Sequence, residues 1–133
     1  MKPVLLTSAA LFFLHSPAPA QSVEEYRPLM QSAAVANGKM QKSLGSDLTG
    51  TAPLAAEVQA EFKKIEAFWA KHNVADAQKF ARNVQQAAVE VETAAKSGNQ
   101  QEAAAAAKKI GANCQGCHMA HRDKGPDGKF IIK

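Results

Sequence analysis

Cysteine, aromatic side chains and long apolar runs are all scarce in this chain of 133 residues. It has two cysteines, and its aromatic content is 6%. Two cysteines close together near one end exclude a disulfide-framed scaffold. The low aromatic content leaves a small core unless something other than side chains helps to fill it. Beyond the first twenty residues no stretch is apolar enough to span a bilayer. The charge excess is also slight, a formal +4. No basic stripe interleaved with aromatics accompanies it, which argues against a grip on nucleic acid as the main function. The length fits one domain and is short for two. No nucleophile triad or acidic pair is evident, so the chain is not expected to be an enzyme. What the sequence does have in quantity is alanine, the strongest helix former.

The first twenty residues read as an address. Met1-Lys2 supplies a positive start, Val4 to Leu14 an apolar run, and Ser16-Pro17-Ala18-Pro19-Ala20 a small-residue ending of the kind a signal peptidase reads. An apolar run of about 11 residues covers roughly half of a bilayer core, so it is too short for a permanent span. Cleavage is expected after Ala20 and the mature protein in the periplasm. An uncleaved anchor is the competing reading, disfavoured by the Pro-Ala-Pro-Ala ending. The expected organisation is a signal peptide over 1–20, one domain over 21–122 and a tail over 123–133.

From Ser22 onward apolar residues recur at alternating spacings of three and four, the signature of amphipathic helices. Val23, Tyr26, Met30, Ala33, Asn37, Met40 and Leu44 form a first stripe, opened by a Ser22/Glu25 capping box. Pro28 is discordant, so that helix bends there or begins near it. Gly45 to Gly50 reads as a break, and Thr51-Ala52-Pro53 as the restart of a helix, with a cap at Thr51 and an early proline. Leu54, Val58, Phe62, Ile65 and Trp69 make a second stripe. Asn73-Val74-Ala75-Asp76 reads as a cap for a third, Ala77, Phe80, Val84, Ala87, Val91 and Ala94, which Gly98 closes. Asn99 with Glu102 opens a fourth through Ala103, Ala107, Ile110, Cys114 and Cys117. Four helices of about 20 residues on short links must run antiparallel to their neighbours. The predicted fold is all-α, an up-down-up-down four-helix bundle. No segment alternates with period two for long enough to predict a strand.

One motif is sharp. Cys114-Gln115-Gly116-Cys117-His118 has the Cys-x-x-Cys-His form of a c-type haem attachment site. Two thiols three residues apart share one side of a helical turn and can each add to a vinyl group of a single haem, while the adjacent histidine presents a nitrogen to the iron. Export fits, since this attachment is made outside the bacterial cytoplasm. A redox-active Cys-x-x-Cys would sit beside a βαβ pattern, which is absent. A zinc site built from Cys114, Cys117, His118 and His121 would crowd four ligands onto one helix, where they cannot easily surround a tetrahedral ion. A structural disulfide would close too small a loop to stabilise much.

Placement of the motif separates families. Only 15 residues follow His118, and Met119 is too close to reach the other face of the same haem. The sequence resembles the class II c-type cytochromes, the cytochrome c′ family and its low-spin relatives, from Val23-Glu24-Glu25-Tyr26-Arg27 to Cys114-Gln115-Gly116-Cys117-His118-Met119-Ala120-His121-Arg122. The resemblance implies a four-helix bundle carrying one covalent haem c on the last helix. Cys114 and Cys117 would be thioether anchors, His118 the proximal iron ligand and Arg122 a basic partner for a haem propionate. It further implies that a first-helix residue meets the other face of the iron. Met30, in a Leu29-Met30 pair like the ligand segment of low-spin members, is the candidate sixth ligand; Met40 would serve only in a different register, and Leu29 or Tyr26 could instead block an open site. The chain departs from the family in three ways. His121 replaces an aromatic, the link between the second and third helices is short, and a tail with a Pro126-Asp127-Gly128 turn and Phe130-Ile131-Ile132 follows the usual end. His121 is expected as a propionate partner or a surface residue.

The functional expectation is an exported monohaem cytochrome transferring single electrons, with His118 and Met30 as axial ligands. The alternatives are a five-coordinate cytochrome c′ that binds nitric oxide or carbon monoxide, and a haem-free metal- or redox-dependent interaction protein. Partners are expected to be redox proteins, and a homodimer is left open. Lys39, Lys42, Lys63, Lys64, Lys108 and Lys109 are candidates for a basic face toward an acidic partner, or simply a solvated surface.

Overall fold

The computed structural model describes residues 23–133, so the proposed signal peptide and the Ser22 cap lie outside the described residues. Four helices follow one another: α1 (Val23–Leu44), α2 (Leu48–Lys71), α3 (Ala75–Lys96) and α4 (Gln100–His121). Each link is three residues long, 45–47, 72–74 and 97–99. Links that short leave consecutive helices nowhere to go but back alongside each other, and the result is the four-helix bundle. α2 packs on α3, α3 on α4 and α1 on α2, whereas α1 and α4 barely touch.

The core joins large side chains to small ones. α2 brings Val58, Phe62, Ile65, Phe68 and Trp69 inward. The buried face of α3 is almost all alanine, Ala77, Ala81, Ala87, Ala88, Ala94 and Ala95 with Val84 and Val91, and α4 adds Ala103, Ala106, Ala107 and Ile110. Alanine faces let the helix backbones approach, and the bulk of α2 fills the space between them.

Local chemistry decides where helices begin and end. α2 is capped four residues earlier than the expected Thr51. Asp47 is the N-cap, its carboxylate accepting from the Gly50 N–H at 2.9 Å. Thr51 is instead a fully buried residue of the first turns, and its hydroxyl donates to the Asp47 carbonyl at 2.8 Å. Asn73 also differs from its expected role. It lies at φ 58°, ending α2 in a left-handed residue, and Val74 takes the N-cap position of α3 without a side-chain bond. Gly98, at φ +73°, closes α3 as expected, and the Asn99 carboxamide oxygen accepts from the Glu102 N–H at 3.1 Å. Pro28 lies inside α1, which begins at Val23. The carbonyl its ring leaves unbonded belongs to exposed Glu24, where water can serve it.

The tail corrects the expectation of no strands. β1 (Arg122–Lys124) pairs antiparallel with β2 (Phe130–Ile132), placing Arg122 opposite Ile132, Asp123 opposite Ile131 and Lys124 opposite Phe130. Strands of three residues are too short to display an alternating pattern. The Lys133 N–H donates to the His121 carbonyl at 3.1 Å, tying the hairpin back to the end of α4.

The six lysines do not form one face. They sit on α1, α2 and α4, and α2 and α4 are not packing neighbours. Lys64 and Lys109 are also engaged, with Glu61 and Glu90, each at 2.7 Å. No helix among the described residues is long and apolar enough to cross a membrane.

Candidate functional site

The poorly closed seam between α1 and α4 is where the chemistry collects. On the last turns of α4, Cys114, Cys117, His118 and His121 recur at the i, i+3, i+4, i+7 spacing that puts them on one face. Both cysteines are free and half-buried. Facing them from α1 are Tyr26 and Met30. Between the two helices lies a cavity of about 510 Å³, whose walls include Tyr26, Met30, Trp69, Cys117, His118 and His121. The hairpin's Phe130, Ile131 and Ile132 close one side of it, and Arg122 stands there too. A recess of about 20 Å³ adjoins it, bringing Cys114 and Phe80 together with Met30, Cys117 and His118. On the outer side of His118 a shallow surface cavity of about 450 Å³ is bordered by Gln115, Met119, Arg122, Asp123, Lys124 and Phe130.

Gly116, between the two cysteines, is a point of close approach. A Cβ there would come within 2.8 Å of the Phe80 ring, so the motif's glycine lets α4 settle against α3 at the level of the thiols.

Burial sets the protonation states. It pushes the Cys117 thiol up to about 11, with smaller contributions from Cys114 and the Asp76 carboxylate. Cys114 is raised by burial as well. Both are therefore neutral thiols at neutral pH, unlike the depressed thiolates of redox-active pairs. Burial, and then the Arg122 guanidinium, lower His118, which favours a neutral imidazole with a free lone pair. Tyr26 is pushed up to about 12 by burial, against the opposing hydrogen bond from Trp69. The Trp69 indole N–H donates to the Tyr26 hydroxyl at 3.2 Å. The two rings stand edge to face, with centroids 5.1 Å apart.

The candidates separate clearly. Cys117, His118 and Met30 share the main cavity, Cys114 opens onto the adjoining recess, and Arg122 stands at the rim with its guanidinium 4.1 Å from the centre of the Phe130 ring. Met40 is fully buried in the core and Leu29 packs against that core; neither lines these cavities. His121 is held by α3, its Nε2 lying 2.9 Å from Asp76 Oδ2, and its ring is 5.4 Å from that of Trp69. Among the described residues no three His, Cys, Asp or Glu side chains converge as a metal-binding cluster, so the four-ligand zinc arrangement finds no support.

Sequence reasoning missed Trp69 as a wall of the cavity and Asp76 as the partner of His121, and it left the tail open between folding back over the haem edge and disorder; the tail lines the cavity as a hairpin. The apolar Phe130-Ile131-Ile132 after a turn was the available signal for the hairpin. No family model, curated protein or solved structure matches the chain.

Proposed function

We propose that the protein is an exported monohaem c-type cytochrome of the class II kind and carries single electrons. The observation that carries this reading is the convergence of Cys117, His118 and Met30, from two helices that otherwise scarcely touch, on one mostly apolar cavity of about 510 Å³. That volume falls in the range of cofactor sites, and the aromatic-poor, alanine-rich bundle has room there that its own side chains do not fill. The donor set fits: two neutral thiols, a neutral imidazole, a thioether and a cation at the rim. Iron held by one histidine and one methionine needs no cluster of three protein ligands, because the porphyrin supplies the rest.

When bound, the haem supplies a one-electron Fe(III)/Fe(II) couple. The chain's residues do the remaining work. Cys114 and Cys117 would hold the group covalently through their thiol sulfurs, His118 would offer its imidazole lone pair to the iron, and Met30 would offer a soft thioether from α1, a ligand type that raises the reduction potential. Tyr26, Trp69 and Ile132 exclude water from the cavity, and Arg122 balances carboxylate charge at its edge.

The test is the visible spectrum of the purified protein, oxidised and reduced, after expression with covalent haem-attachment machinery. Low-spin bands with a weak sulfur-to-iron absorption that vanishes in Met30→Ala are expected. A high-spin spectrum that shifts readily with carbon monoxide or nitric oxide would move the reading to an open, five-coordinate gas-binding form. The absence of haem bands would overturn both.

A further inference from the structure

The hairpin, which extends past the usual end of the family, does more than wall the cavity. The fixed charges lining the main cavity are Arg27 from α1 and Arg122 and Lys129 from the hairpin, all of them cations, and no carboxylate is in its walls. Asp76, bound to His121, and Asp123, on the outer surface cavity, both lie outside it. A mostly apolar space with cations at its edge suits a molecule with an apolar body and anionic groups along one side.

The two strands meet this space differently. Lys129 and all of β2 line it, whereas Arg122 is the one residue of β1 that does. Successive strand residues point to opposite faces, so Phe130 and Ile132 flank the opening on the Arg122 face and Lys129 and Ile131 on the other. The strand therefore runs along the opening edge-on. It is fastened at both ends, by the Lys133 N–H to the His121 carbonyl at 3.1 Å and by the Gly125 N–H to the Lys129 carbonyl at 2.8 Å. Lys129 stands opposite Gly125, three residue steps or roughly 10 Å along the hairpin from Arg122. Its competitor is Asp127, 3.5 Å away, in a pair whose side chains are 68% and 58% exposed. A pair so solvated holds its lysine weakly and leaves it able to turn to another carboxylate. Arg27 lies across the cavity from the strand's own element and is 3.8 Å from Glu24.

We infer that β2 is a strap over the carboxylate edge of the bound group, in which Lys129 takes one carboxylate, Arg122 the other, and Ile131 and Ile132 cover the apolar rim. The inference rests on the haem reading for the identity of the group, since haem carries two carboxylates side by side on one edge.

The test uses the full chain purified free of haem, at low ionic strength. Trp69 is the chain's single tryptophan and lines the cavity, so quenching of its fluorescence reads occupancy. The probes are metal-free protoporphyrin IX and its dimethyl ester, which blocks both carboxylates. Lys129→Gln is compared with Lys124→Gln, the same loss of charge on the same hairpin at a residue outside the main cavity, and with Lys129→Arg, which keeps the charge. Both lysines are exposed, and unchanged helical circular dichroism confirms that the variants fold. The expected result is a free acid bound at least about fivefold tighter than the ester, weakened about threefold by Lys129→Gln, and changed by less than about 1.5-fold by Lys124→Gln and Lys129→Arg; the ester should not respond to any of the three. Equal binding of acid and ester, equal weakening by the two Gln variants, or no quenching by the porphyrin would each overturn the strap. Covalent haem found on the exported chain together with any of those results would leave the cytochrome reading standing. The expected porphyrin pattern in a chain that never acquires covalent haem would uphold the strap and remove that reading.

Discussion

The α2–α3 side of the bundle and the α1–α4 side are built on opposite plans. On the first, aromatic and branched residues of α2 press into an alanine face of α3, and what opens among them is the recess of about 20 Å³ at the level of Cys114. On the second, two helices of similar length hardly meet, and the cavity between them is closed by a tyrosine, a tryptophan and a short hairpin. The alanines that bring backbones together on one side are matched by bulk from α2. On the other side the matching bulk is missing, and the Cys-x-x-Cys-His motif stands at that gap. A chain poor in aromatics can therefore have both a dense half and an open half, and the open half is where a large prosthetic group fits.

Substitutions on either side can break or sharpen this contrast. Ile110→Ala removes a fully buried side chain and should cost about 2–5 kcal/mol of stability, read as a lowered denaturant midpoint with an unchanged m-value. Ala88→Leu, which overfills the closed face of α3, should cost about 1–3 kcal/mol. Tyr26→Phe leaves the Trp69 indole N–H without its acceptor and should cost about 1 kcal/mol near neutral pH. The same variant has a pH signature. Burial holds the Tyr26 proton up to about 12 against an ordinary value of 10.0, the Trp69 hydrogen bond opposing it, so the stability tied to the buried neutral phenol is fully present below pH 10 and is lost as pH rises toward 12. The Phe variant should lack that part of the alkaline decline. Ala34→Leu, at an exposed position on the rim of the cavity, should alter stability by less than about 0.5 kcal/mol. A large cost there would mean that the seam is as closed as the rest.

Much of the closed half was legible in the sequence, because the spacing of Val58, Phe62, Ile65 and Trp69 against that of Ala77, Val84, Ala87 and Val91 is the bundle's own periodicity. The boundaries were less so. The segment from Asp47 to Thr51 offers two capping side chains, and the burial of Thr51 against the Asp47 carbonyl, a tertiary fact, decides between them. At the open half the motif and the stripe position of Met30 were readable, and the cavity joining them was not. Its walls come from Trp69 on a helix with no contact to the motif in sequence, and from strands of three residues that carry no period. His121 could not be assigned from its own neighbourhood, because its partner Asp76 lies across the bundle, where it had read simply as part of a helix start.

The most direct test of the account is the intact mass of the exported protein after denaturation and acid extraction, for the wild type and for Cys114→Ser/Cys117→Ser. The account predicts a wild-type chain that begins after Ala20 and keeps the mass of one haem, and a double variant that keeps none. A wild-type chain that loses all of its haem to extraction, or never carries any, would contradict it.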